Sequence, residues 1–451
     1  MAFVKGITLC ITLPLFAFCW GCRGPKTNND IIINGSNSTV DAYVVEESTV
    51  SKHRNTGPSC YDESSATEVS TTNTHQLAES NMGKKSHIRI YVENSGSMYG
   101  YVGAGDGSDF RKTVFNYLTD IKISDLFDSL SLYFVNSMVI PKGSSVDDFV
   151  NKLKPTVFKV AGGNVGATDI VEIIKKVYPK DGQISVLISD CIISPGKGHN
   201  ASEYLVNQQT GIKGFLALNK YLPNTGVVIY SMLGSFNGYY YDTVDNKKRY
   251  TGTRPYYIWV MGDIQHLKKM RDVTEPKMKT KPAQMCVITM GDPKLKYNIV
   301  PAGGNYQISL TDKFTVERLK KMRTAQGERA IIKLNADFSK MLQDESFLTD
   351  VSNYEVSDKR FRVDNVIKGN DNKFTITIST NQVIGRGTTI YVRLMNKLPQ
   401  WVNKCSDKDG GFPDPSAKLQ TTYGLSYLIG GVYDAYTFNG DNLADMKITI
   451  K

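Results

Sequence analysis

The sequence lacks the patterns that mark the commonest active sites. Its five histidines, His53, His75, His87, His199 and His266, form no HExxH and no close pair, which excludes a zinc hydrolase of that design. No GxSxG surrounds Ser95 or Ser97, so no nucleophile elbow is expected. No phosphate-cradling Walker loop occurs, and GKGHN at Gly196–Asn200 lacks its spacing. Arginine-rich tracts and interleaved aromatic and basic residues are absent. The 54 basic residues exceed the 44 acidic ones only mildly over 451 positions; this favours an anionic surface or partner, but not nucleic acid. Beyond residue 22 only four cysteines remain, Cys60, Cys191, Cys286 and Cys405, in separate contexts with no CxxC. A zinc site is not expected from them, and any disulfide pairing stays open. Cys191, beside an apolar run, reads as a buried thiol.

Residues 1–22, MAFVKGITLCITLPLFAFCWGC, carry Lys5, an apolar run from Ile7 to Trp20 broken by Pro14, and then Gly21-Cys22. The run falls short of the roughly 20 residues that span a bilayer. The layout is that of an export signal; its end at Gly21-Cys22 resembles a bacterial lipoprotein signal, and the resemblance implies that Cys22 is the lipidated residue. Residues 23–85 are rich in Ser, Thr, Asn and Glu with little periodic hydrophobicity. Such a segment buries too little apolar surface to offset ordering entropy and is expected to be a flexible tether. The cysteine box and the tether resemble lipoproteins of Gram-negative bacteria of the Bacteroides type. The resemblance implies a cell-envelope protein held to the membrane by a lipid anchor. No acidic run follows Cys22, so a periplasm-facing position is preferred to surface display.

From Ser86 the pattern alternates. HIRIYVE, LSLYFVN, ISVLISD, GVVIYSML and YYIWVMGD read as strands. DFRKTVFNYLTDI with Asp109 as N-cap, VDDFVNKLK, Thr168–Pro179, Tyr204–Tyr221 and IQHLKKM read as helices. NGYYYDTVDNKKRY reads as a polar hairpin; its tyrosines are either cross-strand packing or a ligand platform. Residues 86–275 are therefore expected to form an α/β domain, an open, doubly wound and mostly parallel sheet. Residues 276–451 carry short β-like runs, from MCVITM to MKITI, and are expected to form an all-β, Ig-like sandwich. TVERLKKMR reads as one helix inside it, and GLSYLIGGVYDAY as either a packed helix or a closing loop.

In such a sheet, ligands bind beyond the carboxyl ends of the strands. Three of these ends carry oxygen-bearing side chains: Glu93-Asn94-Ser95-Gly96-Ser97, the glycine-rich turn GGNVGATD with Thr168, and LISD ending at Asp190. In order and spacing they resemble the von Willebrand factor A family with its metal-ion-dependent adhesion site. The resemblance covers about 86–270. It implies that Glu93, Ser95, Ser97, Thr168 and Asp190 ligate Mg²⁺, Mn²⁺ or Ca²⁺ through hard oxygens. It also implies that an acidic side chain of a protein partner completes the ion. Glu93 stands where the family has Asp; its extra methylene moves the carboxylate by roughly 1.5 Å, which favours the larger ions. The expected function is a binding, adhesion or assembly protein and not an enzyme. The alternative is a structural envelope lipoprotein on a degenerate scaffold without metal, with a hydrolase as a minor third.

Overall fold

The computed structural model describes residues 86–103, 108–166, 169–180, 182–292, 294–302, 305–325 and 327–451. The segments expected to be the export signal, with Cys22, and the tether lie outside these residues, as do Cys60 and Thr168.

Strand β1 (Ser86–Glu93) buries Ile88, Ile90 and Val92 completely. A helical turn, Gly96–Met98, runs into α1 (Tyr99–Val102). Helix α2 (Asp109–Ile123) turns Phe110, Val114, Leu118 and Ile121 inward at helical spacing. Its cap is Ser108, which accepts from the Arg111 amide; Asp109, the expected cap, is the first residue of the helix. There follow β2 (Phe127–Val135), β3 (Val139–Gly143), α3 (Val146–Asn151), α4 (Pro155–Lys159), α5 (Ile170–Val177), β4 (Gln183–Ser189) and α6 (Ala201–Ala217). Then come β5 (Thr225–Tyr241), β6 (Lys247–Asp263), α7 (Ile264–Thr274) and β7 (Gln284–Thr289).

These strands make one seven-stranded sheet, ordered β3-β2-β1-β4-β6-β5-β7. One apolar cluster on it includes Ile90, Val114, Phe149 and Leu267; another includes Leu187, Ile174, Ile212 and Val432. Helices thus cover both faces, as expected. The sheet is mixed, however, not mostly parallel. β1 runs parallel to β2 and β4, and every other pairing is antiparallel. The reason is the 17-residue strands β5 and β6, which pair from Thr225↔Asp263 to Tyr241↔Lys247. Two strands joined by a tight turn are necessarily antiparallel. GVVIYSML, YYIWVMGD and the polar hairpin between them are segments of this one ribbon.

The remaining strands are β8 (Tyr297–Val300), β9 (Gln307–Ile308), β10 (Thr315–Glu317), β11 (Met322–Thr324) and β12 (Gly327–Asp337). After α8 (Glu345–Thr349) come β13 (Tyr354–Val356), β14 (Arg362–Lys368), β15 (Lys373–Thr380) and β16 (Thr388–Met395). Helix α9 (Gln400–Lys404), the short β17 (Ser406–Asp407) and β18 (Thr422–Tyr423), α10 (Leu425–Tyr436) and β19 (Asn442–Ile450) end the chain described. Strands β13-β16-β19-β10-β9 form one sheet and β11-β12-β15-β14, with β8 on β12, another. Ile332, Leu334, Ile376, Val392 and Ile448 of these two sheets share one apolar core. All their pairings are antiparallel except β10 with β19.

One expectation is corrected here. TVERLKKMR is no helix: Thr315 and Val316 are buried in β10, Arg318 takes a positive φ of 54°, and Met322 and Arg323 enter β11. Pairing with β19 overrides a weak helical preference. Segments that follow position 276 also pack on the seven-stranded sheet. MCVIT becomes β7, the edge strand beside β5. Trp401 of α9 donates through Nε1 to the Met285 carbonyl of β7 at 2.9 Å, and α10 packs on the same face as α5 and α6. GLSYLIGGVYDAY is a helix, and a Cβ on Gly431 would fall 2.2 Å from Ile212 Cγ2. All described residues belong to one compact unit.

Candidate metal centre

Parallel pairing of β1 with β4 in the register Val92↔Ile188 brings Glu93 and Ser189-Asp190 to the same end of the sheet. Both carboxylates are buried, Glu93 at 4% and Asp190 at 2% exposure. Ser189 donates its hydroxyl to Glu93 Oε2, and its Oγ accepts from the Cys191 amide at 2.8 Å. The Ser95 and Ser97 hydroxyls lie 2.9 Å apart. Ser95 supports the charged form of Glu93, and Ser97 that of Asp190. Four of the five expected ligands are therefore together: Glu93, Ser95, Ser97 and Asp190. Thr168 is outside the described residues, while its neighbour Asp169 caps α5 through the Val171 and Glu172 amides at 2.9 and 3.1 Å.

The glycine-rich turn is held to this cluster by its backbone. Gly96 donates to the Val165 carbonyl at 2.8 Å. Asn136, fully buried, donates to Asn94 Oδ1 at 3.0 Å and to the Gly162 carbonyl at 2.9 Å. Gly163 lies against it with φ +73°, and a Cβ there would sit 2.0 Å from Asn136 Oδ1. Only glycine combines that backbone with that approach.

The electrostatics are those of two acids sharing a dry site. Burial, then the negative charge of Asp190, pushes Glu93 up to about 8, against the hydroxyls of Ser189 and Ser95. Burial also raises Asp190, against the Ser97 hydroxyl and the positive charge of Arg254. Asp190 Oδ2 is buried with no hydrogen-bond partner, an arrangement that costs on the order of several kcal/mol for a charged oxygen left alone. Among the described residues no group of three or more His, Cys, Asp or Glu side chains assembles. The donors gathered here are two carboxylates and two hydroxyls. Hard oxygens, one of them an orphaned carboxylate oxygen, are the donor type a hard divalent cation takes, so in chemistry the residues present fit the group that the resemblance implies.

The β5–β6 ribbon walls the site. It runs past the last β4 pairing, Ser189↔Tyr257. A Cβ on Gly100 would lie 2.3 Å from the Phe236 ring, and one on Gly238 would lie 2.6 Å from Gly100 Cα. Of the tyrosine cluster, Tyr240, Tyr250, Tyr256 and Tyr257 are buried and Tyr239 is exposed, so the cluster is chiefly packing. The C-terminal segment closes the rim: the Ile193 amide donates to the Tyr423 carbonyl at 3.4 Å, and Tyr257 and Thr422 share a hydroxyl contact at 3.0 Å. Cys191, Cys286 and Cys405 are free and buried. Burial pushes the Cys191 thiol far up, in keeping with the buried thiol expected.

The sequence reading missed Ser189, Asn136 and Arg254. Ser189 was visible as a hydroxyl inside an otherwise apolar strand, and Arg254 as a lone cation in the aromatic run TRPYYIWV. Asn136 carried no signal, because asparagine after a strand is ordinary turn chemistry. Comparison with family models, with characterised proteins and with solved structures gives no match.

Proposed function

We propose that the chain is an exported, lipid-anchored binding protein of von Willebrand factor A-like design. Its β1/β4 oxygen cluster holds a divalent cation, Mg²⁺, Mn²⁺ or Ca²⁺, and through it an acidic side chain of a protein partner. The observation that carries the reading is the buried pair Glu93 and Asp190 on adjacent strand ends, interleaved with Ser95 and Ser97, with Asp190 Oδ2 unpartnered. Glu93, Ser95, Ser97, Asp190 and Thr168 are the residues that would hold the ion. The ion supplies an electrophilic position for an oxygen ligand, and the buried walls keep competing water away. Export and a lipid on Cys22 place the domain in the cell envelope, facing the periplasm, at the end of the 23–85 tether.

The test is a calorimetric and thermal-melt titration of the full chain with Mg²⁺, Mn²⁺ and Ca²⁺, beside Ser97→Ala and Glu93→Asp. Saturable binding with a rise in Tm, lost in Ser97→Ala, supports the reading. Absence of both in wild type, with binding appearing in Glu93→Asp, would instead favour the structural lipoprotein with a degenerate site. The Ser189–Glu93 hydrogen bond, which occupies one carboxylate oxygen without a metal, is the observation on that side.

A further inference from the structure

Arg254 is the most unusual side chain near the cluster. It is 1% exposed, its Nε, Nη1 and Nη2 have no well-formed hydrogen bond, and the Tyr101 and Tyr240 side chains are its polar neighbours. Strand β6 carries it three residues before Tyr257, the residue paired with Ser189, and, the two strands being antiparallel, beyond the end of β4 on the side of Asp190. Its guanidinium stands 4.5 Å from the ring centre of Tyr240, 5.7 Å from Tyr250 and 6.0 Å from Phe236. The charge of Arg254 and that of Asp190 each act on the other. Aromatic rings solvate a guanidinium by their faces, and the field of a buried charge is screened less than that of an exposed one.

We propose that Arg254 is a positioning residue for the cation site: a built-in positive charge that holds down the site's affinity for a divalent ion and leaves the loaded site with an excess of positive charge. This rests on the reading of Glu93, Ser95, Ser97 and Asp190 as a cation site. With both carboxylates ionised, a divalent ion and Arg254 together outweigh them by one charge. An occupied site is therefore completed by an anionic oxygen, a carboxylate, and not by a neutral carbonyl. Without Arg254 the ion and the two carboxylates balance, the ion binds more tightly and the demand for an anionic partner falls. The enclosed position of Arg254 means that it acts through its field and touches neither the ion nor the partner.

The experiment measures Mn²⁺ affinity calorimetrically on the full chain for wild type, Arg254→Met and Arg254→Lys. Methionine fills similar space among the rings without charge; lysine keeps the charge and loses the flat stacking. Arg254→Met is expected to bind Mn²⁺ about tenfold more tightly or better, and Arg254→Lys to stay within about threefold of wild type. A merely structural role would move both variants together. Equal affinities in wild type and Arg254→Met overturn the proposal and leave the metal site standing. Binding in Arg254→Met alone supports the proposal while removing the metal from the native function. Binding in neither overturns both. If Arg254→Met does not fold, Arg254→Gln supplies the uncharged arm of the same comparison.

Discussion

Gly163→Ala should be among the most damaging single-methyl additions in this chain. Two effects add. The backbone at Gly163 has φ +73°, which costs a residue with a Cβ about 1–2 kcal/mol. The new methyl carbon would also fall 2.0 Å from Asn136 Oδ1 and 2.8 Å from its Cγ, so Asn136 must leave its place. Asn136 is fully buried and bonded to Asn94 Oδ1, the Gly162 carbonyl and the Met138 amide, the last at 2.9 Å. Three such bonds at about 1 kcal/mol each bring the total to about 4–5 kcal/mol. Gly143→Ala is the internal control: its φ is +87°, with nothing within 4 Å of the added carbon, so it carries the backbone cost alone. Urea denaturation followed by circular dichroism should separate the two variants by about 3 kcal/mol. Asn136→Ser, which shortens the opposing side chain, should absorb most of the steric part of the Gly163→Ala cost in the double variant. A gap between the two glycine variants below about 1 kcal/mol would refute the claim that Asn136 clamps the turn.

Arg271 reaches from α7 to Glu275 at 2.6 Å, to Asp344 and to the Leu342 carbonyl, and its side chain is 8% exposed. Arg271→Ala is expected to cost about 3 kcal/mol, read as a lower urea midpoint, since it unpairs groups on both sides of the 275/276 division. Gly431→Ala puts a methyl 2.2 Å from Ile212 Cγ2 and 2.6 Å from the Gln209 carbonyl; overpacking of about 1–3 kcal/mol should lower the Tm despite alanine's better helix propensity. Asp263 caps α7 through the Gln265 and His266 amides at 3.0 Å each. Burial raises its carboxyl, but the His266 side chain and these amides outweigh it and hold the group below its ordinary value of 3.8. A carboxylate depressed in the fold stabilises above its unfolded pKa and loses that contribution as pH falls through the folded one. Asp263→Ala should therefore cost about 1 kcal/mol at pH 7, and the gap to wild type should close below pH 4 or so in acid melts.

What the sequence made legible follows from local periodicity. HIRIYVE and ISVLIS announced two buried strands by β-branched, apolar runs, and DFRKTVFNYLTDI announced a helix by its repeat. Because Glu93 and Asp190 end those two strands, the carboxylate pair was legible as well. The antiparallel half of the sheet was not, because nothing local reveals that the two strand runs and the polar stretch between them form a ribbon of 17-residue arms. MCVIT could not be assigned to its sheet from its own residues, since an edge strand reads alike beside either core. TVERLKKMR has helical composition but is captured by β19, a partner more than a hundred positions away. Arg254 was overlooked because a charge in a strand ordinarily faces water, and only the ribbon's overhang encloses it.

The return of α10 to the seven-stranded sheet sets the order in which this chain can finish folding. Gln209 of α6 meets Asp434 of α10 at 2.9 Å across 225 positions, and the Tyr178 and Tyr436 hydroxyls meet across 258. Contacts that distant form only after long loops close, which is slow. Until then α6 presents Ile212 and its neighbours to solvent, and the site lacks the Tyr423 edge of its rim. A chain whose α6 has formed before residues 400–436 have packed would leave that apolar face open. Protection of α6 from proteolysis is expected only once residues 400–436 have packed on it.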